Sequence, residues 1–102
     1  MAEHAVIVAF DYASDTLEQL HALEERLRDA IDEAGVGEFD GNEIASDLSD
    51  GTLYMYGPDA DALFKVVKPI LLDASCLRRA SATLRFGPPE DGVSEREETL
   101  RS

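Results

Sequence analysis

Five carboxylates crowd a glycine-rich stretch, GEFDGNEIASDLSDG at residues 37–51, and such a density of acids could bind a metal ion or a basic partner. Calcium is bound by carboxylate oxygens, and an EF-hand loop requires an acid at its twelfth position. Counted from Asp40, that position is Gly51, and counted from Glu38 it is Ser49. Because both frames fail, the sequence predicts no metal site and no cofactor here.

A basic protein is the alternative partner for the same acids. The chain carries a net charge of −13, and a field of that sign steers association with basic proteins. We therefore expect a non-enzymatic, acidic protein-binding domain, of inhibitor or immunity type in its most concrete form. A hydrated hairpin with no partner is the simpler alternative. The expected contact residues are Glu38, Phe39, Asp40, Glu43, Asp47 and Asp50. Either Phe39 or Tyr54 would be the apolar anchor.

A small-molecule site, or a small enzyme, is the competing hypothesis. It would use an open sheet face, on which an arginine could pair with an anionic group. The candidate residues are Asp11, Tyr12, Tyr54, Tyr56 and Arg85. The sequence has neither a GxGxxG nor a GxxxxGK[ST] fingerprint, and no grouping typical of nucleophilic catalysis stands out. We therefore predict no catalytic residue and favour binding over catalysis.

Composition limits the classes of partner and the cellular compartments that fit the chain. The negative charge disfavours nucleic acid, which requires a basic footprint, although residues 65–85 hold five bases against Asp73 alone. No apolar run is long enough to span a membrane, and the acidic start does not fit a secretory signal. The single cysteine, Cys76, cannot form an internal disulfide. We expect a cytoplasmic protein without a membrane partner.

Hydrophobic periodicity defines the elements that must position these residues. Apolar residues recur every three or four positions in two segments, which predicts helices near 15–34 and 59–73. Alternation or short β-branched runs predict strands near 4–11, 37–45, 51–57 and 81–87.

Local signals refine the ends of these elements. Asp15 or Ser14 would cap the first helix, and Asp59 the second. Pro69 predicts a kink or an early end of the second helix, and a bulge is expected at Gly41.

The order β-α-β-β-α-β predicts an α+β domain over residues 1–87. Its expected form is a ferredoxin-like, four-stranded antiparallel sheet with both helices on one face. Residues 88–102 are polar and acidic, and we expect a flexible tail. The first strand is apolar on both sides, Val6, Val8 and Phe10 on one and Ala5, Ile7 and Ala9 on the other. A homodimer through the open face is therefore expected, which would bury whichever row faces outward. An open, half-polar sheet face without a partner is the alternative.

Two short patterns carry a resemblance. GEFDGNE followed by GPDADALF, within residues 37–64, resembles a pattern in small uncharacterised bacterial proteins. The resemblance implies no known activity, and no catalytic residue can be transferred through it. The ferredoxin-like architecture does not indicate a function either, because proteins with this fold have many unrelated functions.

Overall fold

Five strands and two helices follow one another along the chain, and the computed structural model describes residues 3–101. Their bounds are β1 His4–Tyr12, α1 Glu18–Ala34, β2 Glu38–Ile44, β3 Asp50–Gly57, α2 Ala60–Asp73, β4 Leu77–Arg85 and β5 Glu95–Thr99. All neighbouring strands are antiparallel, in one sheet with the order β2-β3-β1-β4-β5. The protein is therefore of the α+β class.

The hydrophobic core lies between the sheet and the two helices. The central strand β1 contributes Val6, Val8 and Phe10 to it, and these side chains are at most 3% exposed. Fully burying a side chain of this size stabilises the fold by roughly 1.5–3 kcal/mol. The helices close the core with their apolar stripes, which are Leu20, Leu23, Leu27 and Ile31 of α1 and Leu63, Phe64, Val67 and Leu71 of α2.

Helix α1 begins later than predicted and is capped by a different residue. Leu17 occupies the N-cap position and, among the described residues, makes no side-chain cap. The phenolic oxygen of Tyr12 instead accepts a hydrogen bond from the amide of Leu20 at 3.3 Å. The predicted caps at Ser14 and Asp15 were therefore wrong, because a side chain from the preceding strand already satisfies the third amide of the helix.

Helix α2 begins as predicted but passes through its proline. Asp59 Oδ1 accepts hydrogen bonds from the amides of Asp61 and Ala62, which confirms the predicted cap. The helix contains Pro69 and ends at Asp73, so an early end at the proline was wrong. Pro69 is exposed, and water can therefore hydrate the carbonyl group that the proline leaves without a helical donor.

A bulge in β2 turns its apolar residues towards the helices. Phe39 pairs with Met55 and Gly41 pairs with Tyr54, which leaves Asp40 as the extra residue. The predicted bulge is therefore present, with the unpaired residue one position before the glycine. Without it, every residue after the bulge would point to the opposite face of the sheet.

The start of β2 and the end of β3 approach each other through two glycines. A Cβ atom added to Gly57 would lie 2.2 Å from the carbonyl oxygen of Val36, and one added to Gly37 would lie 2.1 Å from that of Tyr56. Neither contact is sterically acceptable. The two glycines therefore let the backbone of the acidic strand β2 close against β3.

The fifth strand corrects the expected count of four. Residues 95–99, assigned to a polar tail by their composition, pair with β4 from Glu95 opposite Arg85 to Thr99 opposite Ser81. Leu100 follows and is 9% exposed, as part of the core. The strand was missed because both of its faces are polar, so it has no alternation of apolar and polar residues to detect.

Candidate interaction face

The sheet surface opposite the helices is called the open face here. Strand register assigns its members, because residues paired across neighbouring strands point to the same side. Its central residues are Ala5, Ile7 and Ala9 of β1, Thr52, Tyr54 and Tyr56 of β3, and Ser81, Thr83 and Arg85 of β4. Its edges carry Glu38, Gly41 and Glu43 of β2, and Glu95, Glu97 and Thr99 of β5.

The middle of the open face is largely neutral and offers little apolar surface. Ala5 is fully buried between its neighbours, Ile7 is half-buried and Ala9 is exposed. Within residues 3–101 the one exposed large hydrophobic side chain is Leu72, which belongs to α2. The outward row of β1 therefore consists of two small residues and one isoleucine.

Acids and tyrosines meet at the β2 side of the open face. The hydroxyl of Tyr54 donates to Glu43 Oε1 at 3.0 Å, and this hydrogen bond to a carboxylate raises the pKa of Tyr54. A solvent-open concavity of about 360 Å³ lies beside this pair. It is lined by Asp40, Gly41, Asn42, Glu43, Tyr54 and Tyr56.

A second concavity lies at the opposite end of β1. Asp11 is opposite Asp50 in the register, and Arg79 forms an ion pair with Asp11 at 2.5 Å. Arg79 has a φ of 46°, at a register shift between β1 and β4. Sequence patterns did not predict this ion pair. The concavity is about 290 Å³ and includes Asp11, Asp50, Arg79 and Ser81 in its lining.

The charges on the open face are unevenly distributed. Seven acids belong to the face or its rim, and they are Asp11, Glu38, Asp40, Glu43, Asp50, Glu95 and Glu97. The arginines of the face are Arg78, Arg79 and Arg85, all on β4. Arg79 is paired with Asp11, and Arg85 Nε donates to the carbonyl of Gly87 at 2.8 Å. The β2 side therefore carries three acids, Glu38, Asp40 and Glu43, and none of the arginines of the face.

Two of the sequence-predicted contact residues lie elsewhere. Phe39 is 8% exposed and packs on the helix side, where the guanidinium of Arg28 lies 5.3 Å from its ring centre. As an anchor on the open face it is therefore unavailable, and Tyr54 is the one that remains. Asp47 closes the β2–β3 turn by accepting the amide of Ser49 at 3.0 Å, and bonding to Ser49 lowers the pKa of Asp47.

The residues of the small-molecule hypothesis are not brought together. Tyr12 is buried on the helix side, where it caps α1. Asp11 lies at one end of β1, whereas Tyr56 and Arg85 both flank Ala5 at the other end. The strand β1 lies between the two strands that carry Tyr56 and Arg85.

Sequence reasoning missed several members of the face. Glu95 and Glu97 join it only because β5 forms, and the signal that could have revealed β5 is the buried Leu100 at its end. A contact on the helix side was also missed, in which Nδ1 of His4 accepts a hydrogen bond from the amide of Ala60 at 3.0 Å and so helps to cap α2. A cap supplied by a residue so distant in sequence leaves no local pattern.

Similarity to known proteins, possible metal ligands and possible membrane spans add little to this geometry. No protein-family model and no curated protein matches the sequence. Between residues 3 and 101, no three histidine, cysteine or acidic side chains are grouped so that they could hold a metal ion. Neither helix in that part of the chain combines the length and the apolarity needed to cross a membrane.

Proposed function

We propose that the open face binds a basic segment of a partner protein, and that the chain acts as a non-enzymatic protein-binding domain of inhibitor or immunity type. The observation that carries this proposal is the β2 side of the face. There Glu38, Asp40 and Glu43 lie beside Tyr54 and Tyr56. The arginines of the face are on β4, which is separated from β2 by the two strands β3 and β1.

Protein interfaces usually combine a core that becomes dehydrated with a polar rim that stays hydrated. A neutral middle costs little to dehydrate, whereas charged groups at a rim stay hydrated and act mainly on association rate and specificity. Tyrosine anchors add apolar contact and can stack on lysine or arginine. The open face has this arrangement on its β2 side, where the largely neutral β1 and β3 adjoin the acidic edge strand β2.

Charge reversal on the open face tests the proposal. We expect the triple variant Glu38→Lys, Asp40→Lys, Glu43→Lys to bind a synthetic hexalysine peptide at least about tenfold more weakly, since it loses contacts as well as field. The matched control is Asp29→Lys, Asp32→Lys, Glu33→Lys, on exposed positions of α1 with the same change in net charge. Isothermal titration at low and moderate salt gives both affinities. Equal weakening by the two variants would show that only net charge matters, and the proposal would fail.

A homodimer through the same face is a second proposal, and the neutral middle of the face is what favours it. Two copies would bury Ile7 together with Tyr54 and Tyr56. The acidic rims oppose this contact, so dimer formation should strengthen as salt rises. Light scattering at high micromolar concentration, with and without Ile7→Glu, tests it. A monomer at every salt concentration would refute the dimer and leave the basic partner as the occupant.

Fold assignment and compartment complete the proposal. We assign β1 to β4 and the helices to the ferredoxin-like arrangement, with β5 added at the free edge of β4; the strand order supports this. Cys76 is a buried free cysteine, and a reducing cytoplasmic setting suits an unpaired thiol. A small-molecule site on the open face is less well supported, because both of the concavities described above are open to solvent.

A further inference from the structure

The last strand lies in a groove made by the edge of β4 and the flank of α2. Its backbone pairs with β4 over residues 95–99, and the amides of Leu100 and Arg101 then both donate to the carbonyl of Ala80, at 2.8 and 3.0 Å. Strands β1 to β4 and the two helices already form a sheet with one covered face. The groove is therefore a sheet edge that an extended segment has filled.

Alternate side chains of β5 are matched to α2 in sign. Arg96 forms an ion pair with Asp61 at 2.6 Å, and Lys68 forms one with Glu98 at 3.6 Å. Leu100, two residues further on, is buried in the core. Because Asp61 and Lys68 are seven residues apart on one helix, they lie on the same side of it. The groove thus presents an acid, a base and an apolar position in that order.

The side chains between these three positions contribute little to keeping β5 in the groove. Glu95, Glu97 and Thr99 are exposed on the open face. The ion pairs that hold β5 are also largely exposed, and pairs of that kind are individually weak and sensitive to salt. Arg96 also stacks on Phe86, with its guanidinium 5.5 Å from the ring centre, and the guanidinium of Arg101 donates to the carbonyl of Leu72. The strand is therefore held by one buried leucine, a backbone ladder and exposed contacts of two arginines and Glu98.

We propose that this groove is a binding site for extended polypeptide segments with the pattern Arg-x-Glu-x-Leu, and that β5 is its resident, autoinhibitory occupant. The partner is a second protein that presents such a segment, and it adds to the edge of β4 in place of β5. A ligand in this groove replaces the β5 edge of the open face, and the proposal does not depend on the function proposed for that face.

The test measures the binding of a peptide to a variant in which the contacts of β5 with α2 are weakened. The protein is the full chain with Arg96→Gln and Glu98→Gln, which leaves Asp61, Lys68 and the β4 edge intact. The probe is a fluorescent synthetic peptide of residues 93–101, VSEREETLR. The control peptide has Arg96 and Glu98 exchanged and keeps the same composition and charge. A control protein, Arg26→Gln, loses the exposed Arg26–Asp73 ion pair, which lies outside the groove.

We expect the natural peptide to bind the double variant at least about tenfold more tightly than the unmodified chain, since an intact tethered strand competes at roughly millimolar effective concentration. It should also bind at least about tenfold more tightly than the exchanged peptide. The Arg26→Gln chain should behave as the unmodified one. Equal affinity for the two peptides, or no binding to a folded double variant, would overturn the proposal.

Hydrogen exchange of the unmodified chain keeps the proposal testable if the double variant fails to fold. We expect the β5 amides to exchange at least about tenfold faster than those of β1, because an exchangeable strand must open locally before the whole domain unfolds. Exchange of β5 as slow as that of β1 would overturn the idea of a displaceable occupant.

Discussion

Both sides of β1 are apolar, but only one of them is covered by the helices. Val6, Val8 and Phe10 lie under the helices and are almost fully buried, whereas the other side carries Ala5, Ile7 and Ala9 and stays without a cover of helices. Polarity alone does not separate the rows. Side-chain volume does, because the larger row removes more apolar area from water when the helices pack on it. The smaller row leaves a shallow, neutral surface on which tyrosines and acids stand out.

Truncation on each side of the sheet should give the largest difference in stability. Leu53 is fully buried on the helix side, and Leu53→Ala should lower the free energy of unfolding by about 2–5 kcal/mol, because it leaves a cavity. Ile7→Ala on the open face should cost clearly less, because Ile7 is only half-buried. Urea denaturation measures both. Equal losses would mean that the open face is packed as tightly as the core.

The junction of β2 and β3 should be sensitive to a single methyl group. Gly57→Ala places a Cβ against the carbonyl of Val36 and should cost about 1–3 kcal/mol, because backbone atoms must move apart. In the control Gly87→Ala the new Cβ meets only the side chain of Val93, at 3.3 Å, and should cost less. Urea denaturation of both variants tests this. Should the two glycine variants be equally stable, the close approach of the acidic strand to β3 would be in doubt.

The cap that β1 supplies to α2 should contribute a smaller amount. His4→Ala removes the acceptor of the Ala60 amide, and we expect a loss of about 0.5–2 kcal/mol. His21→Ala on the exposed surface of α1 should change stability by less than about 0.5 kcal/mol. Chemical denaturation at neutral pH compares them. If His4→Ala changed the free energy of unfolding as little as His21→Ala does, water would be hydrogen-bonding the Ala60 amide as well as His4 does.

Sequence reasoning succeeded where a residue's role depends on its near neighbours. The helical periodicity of α1 and α2, the Asp59 cap and the β2 bulge were all predicted from local patterns, and the structure has them. The order of the first four strands followed from the same elements. Such features are fixed within a few residues of chain, so their signals survive in the sequence.

Distant contacts left no such signal. The Tyr12 hydroxyl at the start of α1 and the His4 acceptor at the start of α2 replace or supplement local caps. Backbone pairing with β4 and the burial of Leu100 make a polar segment part of the sheet. The candidate face was only partly predictable for the same reason. Its tyrosines and β2 acids were named, whereas Arg79, Glu95 and Glu97 join it through tertiary pairing.

The smallest effect concerns the tyrosine at the acidic edge. Glu43→Gln should lower the pKa of Tyr54, because the carboxylate that stabilises the protonated phenol is replaced by a neutral amide. Ultraviolet absorbance at alkaline pH follows the ionisation. The neighbouring change Glu38→Gln is the control, and it should shift Tyr54 less. If both variants titrate as the unmodified chain does, the hydrogen bond does not form in solution.

Locating a basic ligand on the protein tests the central claim most directly. With hexalysine added at constant ionic strength, we predict saturable shifts in the side-chain NMR signals of Ile7, Tyr54 and Tyr56. The signals of Leu72, exposed on α2, and of Ala22, exposed on α1, should stay in place. Shifts of equal size at the helical positions, or none on the open face, would contradict the claim that this face is the binding surface.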